Sequence, residues 1–170
     1  FDMKKLEAIN GDKIRALTID EFLDWSLPFL TKAGVVSGSA DEIALVKLAL
    51  PLIQERIIML SEVPAMLKFL FVKNFAVEAD SVAKITDDAS KQVLERSLKE
   101  LEPLATWTHE SIEAALRSSL IEEMGLKPRI AFGAVRIATT GSTISPPLFE
   151  SMELLGKEAS LARIRAGLEL

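Results

Sequence analysis

Cysteine is absent from this chain of 170 residues, which excludes disulfides and thiolate metal sites and permits a reducing compartment. Histidine is nearly absent: His109 stands alone, so no spaced pair of imidazoles can hold a metal. No apolar run approaches the roughly 20 residues that a membrane-spanning helix needs. The densest run, Ile43 to Leu60, is interrupted by Lys47, Pro51, Gln54, Glu55 and Arg56. A glycine-rich phosphate loop is missing too, since Gly133 and Gly141 are isolated. Sustained period-two alternation, the mark of half-buried strands, occurs nowhere. One stretch also lacks acid: Met124 to Phe149 holds Lys127, Arg129 and Arg136 but no Asp or Glu.

What is present reads as a globular, helical protein. Hydrophobic residues make up 49% of the chain, charged residues 26%, and the net charge is −5. That balance is not the one of a disordered chain. It argues against a general coat of nucleic acid, and DNA is not expected as a partner. A local basic surface can still attract phosphate, because screening confines each field to about 10 Å at ordinary salt. The chain opens at Phe1 rather than Met, which suggests a piece of a longer protein.

The pattern of caps and apolar spacing predicts an all-α fold. Thr18 and Glu21 form a capping box ahead of Phe22, Trp25, Phe29 and Leu30, and Gly34 is placed to end that helix. Ser39 and Glu42 form a second box, opening a run from Ile43 to Leu60 that Pro51 should kink or divide. Pro64 sits early in the next helix, with Met66, Leu67, Leu70 and Phe71 on its apolar face. The pattern breaks at Val72 to Asp80. Beyond it, helices are expected over 88–101, over 108–124 stopped by Gly125, from Pro128 to about Ala138, and over 159–170. Near the end, TGSTISPPLFESMELLGKE (Thr140 to Glu158) lays a proline turn before an apolar helix. Ser145 suits an N-cap there and Pro146 the first helical position.

No catalytic constellation emerges. Acidic pairs such as Glu122 and Glu123, or Asp87 and Asp88, read as solvated faces and helix-start charges. His109 reads as a surface residue in a first helical turn. Met59, Met66, Met124 and Met152 read as core filler, and Trp25 and Trp107 as core aromatics. No catalytic residue and no metal site are assigned.

Larger blocks of text carry a resemblance. FDMKKLEAINGDKIRAL (Phe1 to Leu17), LVKLALPLIQERIIMLSEV (Leu45 to Val63), WTHESIEAALR (Trp107 to Arg117) and RIATTGSTISPPLFESMELLGKEASLARI (Arg136 to Ile164) resemble, in place and order, the C-terminal anticodon-binding region of bacterial glutamyl-tRNA synthetases. These are class I aminoacyl-tRNA synthetases. The resemblance implies a helical cage of two subdomains, with residues 1–17 as the tail of the stem-contact region, 18–75 as the first anticodon-binding subdomain and 76–170 as the second. It implies a parent enzyme that joins glutamate to tRNA with ATP and magnesium in the cytoplasm. The family's two ATP-site signatures appear nowhere in this chain, so the chain itself would only hold tRNA(Glu), as a monomer without a cofactor. Some members of the family also charge tRNA(Gln).

The resemblance also places roles on residues. Arg56 matches the reader of the third anticodon base. Ser145, Pro146 and Leu148 match the turn that contacts the first base, and Arg136 matches a contact to the anticodon backbone or a base. Lys127 and Arg129 are phosphate-contact candidates on electrostatics alone. An ordinary surface role for Arg56, in an ion pair or on an exposed helix face, is the alternative at that position. For the chain as a whole the alternative is a helical protein-interaction domain, which would expose an apolar groove in place of a basic face.

Overall fold

The computed structural model describes residues 2–170, and among them every regular element is helical. The chain divides into two compact units, one ending at Lys73 and the other beginning at Asn74.

In the first unit, α1 (Met3–Ala16), α2 (Ile19–Lys32) and α3 (Ala40–Ile53) are followed by a 3-10 turn (Leu60–Glu62), the short α4 (Val63–Leu67) and a second 3-10 turn (Lys68–Leu70). Both expected capping boxes form, Thr18 with Glu21 and Ser39 with Glu42. Glu42 does more than close its box. Its Oε2 accepts from the Ser37 amide and hydroxyl and from the Gly38 and Ser39 amides, at 2.8 to 3.1 Å. The α3 helix ends two residues after Pro51, where the proline has removed an interior N–H and the chain leaves in a turn. The core is built from Phe22, Leu30, Val46, Leu50, Ile53 and Leu67, all fully buried. The opening helix is fastened to it: Gln54 Nε2 donates to the carbonyls of Ile14 (3.0 Å) and Leu17 (2.8 Å), and Asn10 donates to Ile58.

Trp25 corrects the sequence reading. The buried line of α2 runs through Phe22, Ser26 and Leu30, at steps of four. Trp25 lies one position off that line, about 100° around the helix, and is 60% exposed. Met59, expected in the core, is also exposed, because it lies in the irregular segment ahead of the first 3-10 turn.

The second unit contains α5 (Ala79–Val82), α6 (Asp88–Leu101), α7 (His109–Leu116), α8 (Pro128–Thr140), α9 (Leu148–Leu155) and α10 (Lys157–Leu168). The α7 helix continues as a π-helical turn over Arg117–Glu123. Within it the Met124 amide reaches five residues back to the Ser119 carbonyl. Helices α6, α8 and α10 pack on one another, and α7 lies against α6 and α9. Their shared core includes Ile85, Leu94, Leu116, Val135, Met152 and Ile164. Trp107 packs against it as expected, with its indole N–H donating to the Met152 carbonyl at 2.9 Å. The last helix begins two residues earlier than the sequence suggests, because Gly156 both ends α9 and starts α10.

Candidate nucleic-acid interface

Helix α8 carries the basic, acid-free stretch, and its spacing sorts the residues into two faces. Ala131, Ala134, Val135 and Ala138 are buried against the unit's core, while Arg129 and Ile130 are exposed. Arg129, Gly133 and Arg136 follow at steps of four and three and therefore share the outer stripe. That stripe forms one wall of a groove of about 850 Å³, whose lining also includes Lys84, Ile130 and Thr143. No acidic side chain lines it. Lys127 is exposed at the helix start but does not reach the lining.

Helix α8 ends at a turn that is held from several sides. Gly141 adopts φ +84°, donates to the Ile137 carbonyl at 2.8 Å and accepts from the Glu78 amide at 2.9 Å. A Cβ there would come within 3.2 Å of the Ala76 carbonyl oxygen and the Phe75 ring, so any side chain would be both crowded and strained. Thr140 Oγ1 donates to the Arg136 carbonyl at 2.7 Å. Arg136 Nη1 then donates both to the Ser145 hydroxyl and to the Pro146 carbonyl, the latter at 2.9 Å. Ser145 closes the triangle by donating to the same carbonyl at 2.7 Å. At the foot of the turn, the Arg163 guanidinium lies 3.9 Å from the centre of the Phe75 ring and donates to the Thr139 carbonyl at 2.8 Å. Burial lowers its pKa to about 10, which leaves it charged at neutral pH.

This arrangement corrects the expected cap. The α9 helix begins at Leu148, with Pro147 at its N-cap position and no side-chain cap. Ser145 cannot cap it because its hydroxyl is already engaged by Arg136 and Pro146. Pro146 cannot be its first residue, because a residue before proline is pushed away from the helical region. Ser145, Pro146 and Leu148 are all buried, and the turn shows solvent Thr143 and Ile144 instead. Ile144 is 73% exposed. Sequence reasoning passed over both of these residues, and over Lys84. The available signal was an apolar residue set among Ser and Thr just before two prolines.

Arg56 belongs to the first unit, in the turn that follows α3. Its side chain is exposed and has no hydrogen-bond or ion-pair partner among the described residues, so the surface ion pair weighed for it does not form. Its backbone is fixed: the amide donates to Ile53 at 2.9 Å, and Ile57 next to it is buried. Glu62 Oε2 accepts from the amides of Ile58 and Met59 at 2.9 and 2.8 Å, holding the following residues.

His109 makes a structural contact rather than a catalytic one. Its Nδ1 lies 2.6 Å from Glu153 Oε2 and its Nε2 lies 3.1 Å from Glu110, tying the start of α7 to α9. The hydrogen bond to Glu153 raises its pKa above the ordinary histidine value. Among the described residues no group of His, Asp and Glu side chains could hold a metal ion.

A family model described as an anticodon binding domain matches residues 14–168. The glutamate–tRNA ligase of Saccharopolyspora erythraea is 47% identical over 171 residues, covering 99% of this chain and 34% of that protein. That of Paenarthrobacter aurescens is 46% identical over 175 residues, covering 98% of the chain and 33% of its own length. The chain thus spans about a third of the length of the curated relatives it matches. Among solved structures, a glutamate tRNA ligase from Elizabethkingia meningosepticum, in complex with its amino acid, shares the fold. Its TM-score is 0.76 at 19% identity, over 99% of this chain and 32% of that one.

Proposed function

This chain belongs to the anticodon-binding-domain family, in the form carried by glutamate–tRNA ligases, and we propose that it grips the anticodon loop of tRNA(Glu). The observation that carries the proposal is the family match over residues 14–168. In a protein of the relatives' full length, this grip would serve the attachment of glutamate to tRNA in the cytoplasm, with ATP and magnesium held outside this chain. Residues 1–17 are assigned to the tail of the stem-contact region, 18–75 and 76–170 to the two anticodon-binding subdomains.

Arg56 is assigned to the third anticodon base. A guanidinium offers only donors, and the Watson–Crick edge of cytosine offers N3 and O2 as acceptors. Guanine presents a ring N–H and an amino group at the same place, and opposing donors cost on the order of 1–3 kcal/mol. A cation on a fixed turn, with no internal partner, supports this role. The proline turn is assigned to the first base. Ser145, Pro146 and Leu148 serve as its buried support, Arg136 as its brace, and Thr143 and Ile144 as its outer edge. Because Arg136 spends hydrogen bonds on the turn, its part in recognition is to set the turn's shape. Arg129 and Lys127 are assigned to phosphates.

Titration of the chain with a tRNA(Glu) anticodon stem-loop tests the reading. Binding that weakens steeply with salt, and that is lost when the loop sequence is scrambled, is the expected result. Absence of binding at high micromolar concentration would contradict it.

A further inference from the structure

Within the second unit, a groove residue outside the α8 stripe has no role so far. We propose that Lys84 binds RNA phosphate: it lines the same groove as Arg129, and the two cations clamp the sugar–phosphate backbone of the anticodon loop beside the proline turn. The proposal rests on the anticodon-loop reading and adds to it a contact from a different segment.

Lys84 lies in the turn between α5 and α6, and its backbone is held on both sides. Its amide donates to the Ser81 carbonyl at 3.0 Å, and its own carbonyl accepts from the Ser90 hydroxyl at 3.2 Å. The side chain is exposed, lines the groove and has no hydrogen-bond or ion-pair partner among the described residues. The same holds for Arg129 in the first turn of α8. Both cations are left without carboxylates on a protein of net charge −5, so their field is available to an outside anion.

The acidic residue nearest to Lys84 in the chain, Asp87, is engaged at the edge of the groove, where it holds the lining residue Ser90. Its carboxylate caps α6, accepting from the Ser90 amide at 2.9 Å and hydroxyl at 2.8 Å, and these bonds lower its pKa. It therefore stays ionised as a cap and does not line the groove. The wall that α8 gives the groove is open. Gly133 shows nothing within 4 Å of where a Cβ would stand, and Ile130 beside Arg129 is 56% exposed. The start of α8, without a side-chain cap, adds partial positive charge to the same wall. A single compact anion would leave most of a groove of about 850 Å³ empty, whereas a nucleotide chain can meet both cations and lay a base or ribose on Ile130.

The test is the salt dependence of stem-loop binding by the whole chain, read by fluorescence anisotropy, for wild type, Lys84→Gln, Arg129→Gln and the double variant. Lys99→Gln, which makes the same charge change on the exposed end of α6 outside the groove, is the control. Each groove variant is expected to reduce the slope of log K against log salt by about 0.7, the value for one contact to a single strand. The double variant should lose about twice that. Lys84→Arg should restore the slope, and thermal melts should coincide because the side chain is exposed. Inorganic phosphate at matched ionic strength should displace no RNA; displacement would mean a site for a small anion and overturn the proposal. Wild-type binding with a Lys84→Gln slope equal to that of Lys99→Gln overturns the clamp alone. Absence of wild-type binding overturns the anticodon-loop reading and the clamp with it.

Discussion

The side chain of Arg136 shows how a residue's role depends on what already occupies it. From sequence it is a cation on a basic stretch that the resemblance matches to a contact with the anticodon backbone or a base. In the fold, one of its terminal nitrogens serves both the buried Ser145 hydroxyl and the Pro146 carbonyl. Removing the guanidinium takes a charged donor from that hydroxyl and that carbonyl, leaving them only their bond to each other where water has little access. Arg136→Met should therefore cost on the order of 1–3 kcal/mol of stability, measured by chemical denaturation. It should also weaken stem-loop binding without lowering its salt slope. A lowered slope at unchanged stability would instead assign Arg136 directly to phosphate. Arg56 is the opposite case. Its guanidinium is exposed and has no hydrogen-bond or ion-pair partner among the described residues. No sequence pattern distinguishes the two arginines, because what separates them is which neighbours the fold brings within 3 Å.

At the scale of the element, capping chemistry was the most legible part. A capping box needs only residues three apart, so the starts of α2 and α3 could be read from the chain alone. The start of α9 could not, since Ser145 was drawn away by Arg136, nine residues earlier. Burial of Trp25 was misread for a related reason. Period counting finds an apolar stripe but does not say which edge of it faces the core. The cap at α3 makes a prediction of its own. Chiefly through the Ser37 hydroxyl, and also through backbone amides, the Glu42 pKa is lowered from 4.5 to about 2. A depressed acidic pKa contributes stability that is complete above the unfolded value and is lost as pH falls toward the folded one. Glu42→Gln should therefore lower the melting temperature at neutral pH, and the difference from wild type should shrink between about pH 4.5 and pH 2. A difference that stayed constant over that window would show that the carboxylate charge is not what holds the start of α3.

For the molecule as a whole, the helical class was legible from missing alternation and frequent caps, and the family from blocks of matching text. The groove was not. Lys84 and Arg129 are 45 positions apart in the chain, and only packing of α6 against α8 places them on one lining. Exposure of Ile144 ahead of the buried Ser145 and Pro146 was hidden for the same reason. The central claim concerns a division of labour. In the proposed reading the second unit holds the loop through its braced turn and its groove, while Arg56 on the first unit reads a base. Affinities of wild type and Arg56→Gln for stem-loops ending their anticodon in C or in G test that claim most directly. Wild type should prefer the C-ending loop by roughly 5- to 150-fold, as expected for opposed donors costing about 1–3 kcal/mol. Arg56→Gln should bring the two affinities together, with most of the loss on the C-ending loop. An unchanged preference in the Arg56→Gln variant would contradict the account.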